Sequence, residues 1–210
     1  MKKILDKFKS YLIINKKMML FLFIIVLIGI ITGSLFTIFL NIDDKTLIKN
    51  SLDLFFNNCI NDKLNYFEAF KNSLFSNYFY TIIIWLLGIS LIGSIFAVPI
   101  AYFKSFILGF TISSIITNFG LKGVIIAILY IFPHLIFNLL IIMFITHYSV
   151  ILSFKIFKSF FNKGVIDFKF IFRKYFIILI ICLLILMLTS LYEGFVIPLI
   201  FKTFKGLITL

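Results

Sequence analysis

The sequence predicts an all-α, polytopic membrane protein of about five transmembrane helices, with an amphipathic helical loop on the extracytoplasmic side. Three observations predict it. Hydrophobic residues make up 62% of the 210 and charged ones only 13%, where a soluble domain needs nearer a quarter charged to wet its surface. The apolar residues gather into five runs without a formal charge: Met18–Leu40, Asn72–Phe103, Ser105–Leu121, Gly123–Phe154 and Tyr175–Tyr192. Each reaches or approaches the roughly 20 residues that cross a hydrocarbon core as helix. None alternates in polarity as barrel strands do. Finally, the net charge of +12 is unevenly placed. Residues 1–17 and 155–174 are strongly basic, while 41–78 carries four lysines against five acids. Basic segments stay in the cytoplasm, so one integral membrane domain over 1–210 is expected, with a basic cytoplasmic tail (1–17), an extracytoplasmic loop (41–77) and a basic cytoplasmic loop (155–174).

The first span runs outward from Met18. It is too long an apolar core for a cleavable leader and lacks an A-x-A-like site after it, so it is expected to stay as an anchor. Gly29 and Gly33 have the small-xxx-small spacing that lets helix backbones approach, although two glycines in an apolar helix are also commonplace. In the loop 41–77, Ile48, Leu52, Phe55, Phe56, Ile60, Leu64, Phe67, Phe70 and Leu74 recur at three- or four-residue steps, the mark of an amphipathic helix. That face either packs on the rim of the bundle or offers Phe55, Phe56, Phe67 and Phe70 as a docking strip for a partner.

Span two, Tyr78–Phe103, returns inward with Trp85, and Lys104 marks its cytoplasmic end. Span three, Ser105–Phe119, is short, roughly 23 Å. Its Gly109, Thr111, Ser113, Ser114 and Thr117 suit a helix surrounded by helices. Asn118, Gly120, Lys122 and Gly123 form the next turn. The following 32 uncharged residues exceed one straight crossing, and Pro133 should bend them. An extra crossing at Pro133 would place the basic 155–174 segment outside, so a single bent span is expected. The last span starts near Tyr175 and ends at Glu193.

Several function classes are excluded or left without support. The basic segments are accounted for by anionic lipid at the bilayer surface, which argues against nucleic acid. Cys59 and Cys182 fall in the outer loop and deep in the last run, so they imply no disulfide and no metal site. There is no H-E-x-x-H, no G-x-S-x-G, no glycine loop for phosphate and no paired carboxylates, hence no catalytic, metal or cofactor residues are assigned. The polar residues inside apolar runs are Pro133's neighbours His134 and Asn138, then His147 and Glu193. Such residues are costly in a bilayer. His134 and Asn138 share a helical face and either satisfy backbone carbonyls freed by Pro133 or line a polar cavity. His147 is read as interfacial. Glu193 lies at headgroup level or pairs inside the bundle.

Phe70-Lys-Asn-Ser-Leu-Phe-Ser-Asn, Trp85-Leu-Leu-Gly88-Ile-Ser90-Leu-Ile-Gly93, the Lys104–Phe110 segment with Gly109-Phe110, Gly120-Leu-Lys-Gly123 and Pro133-His134 follow one another in this order. With Glu193 ahead of Pro198, this set resembles the stage II sporulation protein M family over nearly the whole chain. Gly29, Gly33, Trp85, Gly88, Ser90, Gly93, Gly109, Gly120 and Gly123 then stand as candidate helix-packing positions. Pro133, His134, Asn138 and Glu193 form a candidate polar and kink site. One departure is visible: a Pro-His-Gly-x-x-Glu pattern in relatives reads Pro133-His134-Leu-Ile-Phe-Asn138 here, with the acid replaced by an amide. The resemblance implies a role in engulfment during endospore formation, as a membrane scaffold holding two peptidoglycan-degrading partners, stage II sporulation proteins D and P, at the septum. It implies a non-enzymatic protein of the bacterial cell membrane, cofactor-free, with homo-oligomers left open. The rival reading is a permease-like subunit of a transport system. An intramembrane enzyme would need His134 and Glu193 to converge; a separation above about 10 Å would remove that reading.

Overall fold

A computed structural model of the chain describes residues 16–90, 93–131, 134–162 and 168–203. Among them every regular element is helical. Helix α1 is Lys16–Phe36, α2 Ile42–Ile60, α3 Tyr66–Ile89, α4 Gly93–Ile131, α5 His134–Asn162 and α6 Phe168–Leu191. A π-helical turn, Tyr192–Val196, carries α6 into α7, Ile197–Thr203. Among the described residues, five stretches are long and apolar enough to cross a membrane: Lys16–Phe36, Tyr66–Ile89, Ile95–Leu129, His134–Ser159 and Ile171–Thr203. The chain is a multi-pass helical membrane protein.

Side-chain contacts fix how the helices run. Thr32 meets Tyr102 and Thr37 meets Ser113, so α1 and α4 are parallel. Trp85 meets Tyr175 whereas Ser73 meets Ser190, so α3 and α6 are antiparallel. Ser149 reaches Ile84 and Ser153 reaches Ser90, which sets α5 parallel to α3. The start of α1, the α3–α4 turn, the end of α5 and the start of α6 therefore share one end of the bundle, here called the basic end. Lys16, Lys17, Lys155, Lys158, Lys169, Arg173 and Lys174 lie there.

At the opposite end, α2 is laid on the rim. Phe56, Cys59 and Ile60 are buried against Ile115 and Ile126 of α4 and Ile197 and Phe201 at the C-terminal side. Phe56 packs edge-on to both Phe119 and Phe201. Asn65 caps α3, its side-chain oxygen accepting from the Glu68 N–H at 3.2 Å, and this satisfies one donor that a helix start leaves open. Asp62 makes the turn before it with φ 57°, a left-handed conformation that Asp tolerates better than most residues. Its carboxylate binds Lys202 at 2.8 Å, tying α7 to the α2–α3 turn. That bond, a second from Tyr66 and the nearby Lys202 charge hold the Asp62 carboxyl below its ordinary range.

Span number and parity agree with the sequence, and so does the turn at Gly120, while other span boundaries do not. The run Asn72–Phe103 is split between α3 and α4, because the chain turns after Ser90. Lys104 is therefore not a cytoplasmic end but sits inside α4. Ser105–Phe119 is no separate short span, only the second half of that helix. At Gly120 (φ 57°, ψ −135°) the backbone takes a conformation that only glycine adopts freely. The chain folds back there, so that a Cβ on Gly123 would lie 2.5 Å from the Ile115 carbonyl oxygen. Residues 121–131 thus form a short return, and α5 makes the crossing. Pro133, the expected bend, lies outside the described residues. The expected loop 41–77 is α2 plus the first turns of α3, continuous with span two. His147, read as interfacial, is instead inside the bundle at 2% exposure.

Candidate functional site

Among the described residues, two polar regions join α3, α5 and α6. Near the basic end, Trp85 and Tyr175 stack with ring centroids 5.4 Å apart and an interplanar angle of 12°. The indole N–H donates to the Tyr175 carbonyl at 3.3 Å, and the Tyr175 hydroxyl donates to the Trp85 carbonyl at 2.9 Å. Gly88 lets them close. A Cβ there would stand 2.2 Å from the Tyr175 hydroxyl and 2.7 Å from the Ser149 Oγ. Ser149 donates to the Ile84 carbonyl and Ser153 to the Ser90 carbonyl, each at 2.9 Å. Gly93 completes the turn, its absent Cβ leaving room for the Leu87 carbonyl. The Trp85–Gly93 block is thus a clamp joining α3, α5 and α6.

The second region lies further toward the opposite end. It begins with a local consequence of sequence. Pro198 has no N–H for the carbonyl four residues earlier, and the chain widens into the π turn just before it, with the Ile197 N–H bonding to the Tyr192 carbonyl. That turn carries Glu193. Gly194 presses it onto α3, where a Cβ would meet Phe70 backbone at 2.7 Å. Glu193 consequently accepts from Ser73 Oγ at 2.5 Å. Ser73 Oγ lies 3.2 Å from Ser190 Oγ, and the Asn77 amide donates weakly, at 3.4 Å, to both serines. From α5, His134 Nε2 stands 3.7 Å from Glu193 Oε2, and the His134 ring stacks on Tyr192 with centroids 6.2 Å apart. One turn on, Asn138 Oδ1 accepts from Thr189 at 2.5 Å.

Beside this cluster is a cleft of about 80 Å³ between α3, α4 and α5, lined by Asn77, Lys104, Thr111, Asn138 and apolar neighbours. The Lys104 ammonium lies 3.9 Å from the centre of the Tyr80 ring and 3.5 Å from Ser76 Oγ. Among the described residues no three His, Cys, Asp or Glu side chains converge as a metal set.

The structure therefore brings together His134, Asn138 and Glu193, with Glu193 bonded to Ser73 and facing His134 within the bundle. At 3.7 Å the His134–Glu193 separation is below about 10 Å, so it does not remove the intramembrane-enzyme reading. Gly29, Gly33 and Gly109 form a different feature, the α1–α4 seam. A Cβ on Gly33 would fall 2.0 Å from the Phe106 carbonyl oxygen, and one on Gly109 2.0 Å from that of Ile30. Ser34 and Thr37 then reach Gly109 O and Ser113 Oγ at 3.1 and 2.7 Å. Of the docking strip, Phe55 and Phe56 pack on Phe201 and Phe70 packs on Phe195. Only Phe67 stands out, at 66% exposure. The sequence assigns no site role to Ser73 and Asn77, which lie in the Phe70–Asn77 segment, nor to Thr189, Ser190, Gly194 or an interior Lys104. A polar residue every fourth position, at Ser73, Asn77 and Thr81, was the signal available.

The sequence profile of a family described as stage II sporulation protein M matches residues 18–198. The chain belongs to the stage II sporulation protein M family. That match takes in the second, third and fourth spans whole, most of the first and the last, the Trp85–Gly93 clamp and the His134–Glu193 cluster, and it supports a sporulation-related membrane protein. No curated protein and no solved structure matches the chain. In this member of the family, then, the polar cluster belongs to the matched core, while most of α7 lies beyond the matched residues.

Proposed function

We propose that this protein is a membrane scaffold of the sporulation engulfment machinery, anchoring peptidoglycan hydrolases, stage II sporulation proteins D and P, at the septum. In this reading it sits in the bacterial cell membrane with its N-terminus and basic end in the cytoplasm. The α2–α7 cap then faces the wall, and the hydrolysis is done by the partners. The observation that carries it is family membership over 18–198. Two features support it. The polar side chains of the basic-end clamp are spent on interhelical hydrogen bonds, as in a framework. The cap, besides its packed aromatic core, presents exposed apolar side chains at Phe39, Phe67 and Leu121.

The test is co-purification of the two hydrolases with the chain from sporulating cells, comparing wild type with Phe67→Ser. Phe55, Phe56 and Phe70 are unsuitable, because replacing packed aromatics unfolds the cap. The scaffold reading expects recovery of both hydrolases with the wild type, and reduced recovery with Phe67→Ser at unchanged membrane abundance. Absence of both hydrolases from the wild-type sample would overturn it. A second reading, a permease-like subunit, is favoured by one observation: Lys104 and its cleft lie within the membrane-spanning part of α4. Capture of an ATPase subunit in the same experiment supports that alternative.

A further inference from the structure

We propose that the cleft between α3, α4 and α5 binds a small monovalent anion or a carboxylate group, held by the Lys104 ammonium and the Asn138 amide. Three observations point there. Lys104 occupies the interior of a membrane-crossing helix, and no carboxylate among the described residues lies within 4 Å of it. Its polar contacts are a long bond to Ser76 and the face of Tyr80, an arrangement that leaves ammonium hydrogens for a further acceptor. The Glu193 carboxylate is engaged elsewhere, by Ser73 at 2.5 Å and opposite His134 at 3.7 Å.

Asn138 is the second, independent observation. It is 95% buried, with a relative exposure of 5%. Its Oδ1 is taken by Thr189, and its Nδ2 has no hydrogen-bond partner. A buried amide donor without an acceptor is costly, and Asn138 and Lys104 line the same cleft. The third is the nature of the walls. Ile107, Leu108, Leu135, Leu139 and Ile142 supply a low-dielectric surround, where a charge-assisted contact is worth more than in water. A cation would be repelled by Lys104. A neutral molecule would leave only the more distant Glu193 carboxylate, already bonded to Ser73, to offset its charge. The cleft's size suits chloride or the end of a carboxylate and not a bulky solute. The site is a property of the bundle and does not depend on what docks at the cap.

The experiment uses the purified full chain in nanodiscs. Thermal unfolding is followed through Trp85, the sole tryptophan, while sodium chloride or sodium formate replaces sodium isethionate, a bulkier anion without a carboxylate, at constant ionic strength. Wild type is expected to show a saturable rise in Tm, about 5–10 °C at a hundredfold excess over Kd. Lys104→Met and Asn138→Asp should lose the dependence. The aspartate sets a fixed carboxylate in the anion's place, so that variant should stay folded. A response to formate alone identifies a carboxylate ligand, and one to chloride a halide site. No anion-dependent shift in wild type would overturn the proposal, as would an undiminished shift in Lys104→Met. Should Lys104→Met fail to fold, chloride-35 NMR line broadening decides. Broadening by wild type that Asn138→Asp abolishes supports the site, and its absence with wild type contradicts it.

Discussion

The two polar regions of the α3–α5–α6 core draw on the same kinds of side chain and use them differently. Around Trp85 and Tyr175 the polar groups close on one another: each ring's polar handle reaches the other's backbone carbonyl, and Ser149 and Ser153 bond to carbonyls of the facing helix. Around Glu193 the partners are side chains rather than backbone, and Asn138 Nδ2 remains without an acceptor. Backbone acceptors are fixed by the helices themselves, so the first region rigidifies. Side-chain acceptors can rearrange or exchange for a ligand, so the second retains binding capacity. In a bilayer, where apolar burial gives helices little reason to associate, small residues and polar contacts do the joining. What separates framework from site is whether that polar capacity is exhausted.

The largest effect expected on this contrast is at the clamp. Trp85→Ala removes a buried ring and both its contacts and should cost about 3–5 kcal/mol, seen as a collapse of folded protein in detergent melts. Trp85→Phe keeps most of the ring stacking and loses one hydrogen bond, so it should cost about 1 kcal/mol. If both variants melted like wild type, the clamp would not be the framework. Gly33→Ala comes next, at about 1–3 kcal/mol, because its methyl has no room against Phe106.

At the opposite region the changes should be milder. Glu193→Gln keeps an acceptor for Ser73 and should cost about 1 kcal/mol. Loss of all folded protein in that variant would make the cluster part of the framework. The smallest effects lie on the cap. Burial pushes the Cys59 thiol up to about 11, so maleimide at neutral pH should label it only after denaturation. The Asp62 carboxyl is held below its ordinary value by Lys202 and Tyr66. Its contribution is therefore present above the unfolded carboxylate range, about pH 4, and is lost as pH falls through the lower folded value. Asp62→Asn should remove that acid dependence and loosen α7, read as faster proteolysis of the C-terminal segment at neutral pH.

Much of this was legible in the sequence, for identifiable reasons. Span number follows from hydropathy and from the basic segments, because crossing a bilayer is a strong constraint on both. The seam at Gly29, Gly33 and Gly109 follows from residue size. A lone charge in an apolar run reads as a span end, whereas the Lys104 stem reaches the Tyr80 face while its Cα stays inside α4. The return at Gly120 falls in the turn expected over Asn118, Gly120, Lys122 and Gly123, whereas the turn after Ser90 carries no proline in the described residues to announce it. Pairings such as Ser73 with Ser190, or Asn138 with Thr189, join positions far apart in the chain. A single sequence holds no record of them.

The most direct test of the scaffold account places a photo-crosslinking amino acid at Phe67 on the cap and, separately, at Phe172 near the basic end, which is also exposed at 46%. After irradiation of sporulating cells, the account predicts peptidoglycan hydrolases joined to the Phe67 position and none joined to Phe172. Equal capture at both positions, or capture at Phe172 alone, would contradict it.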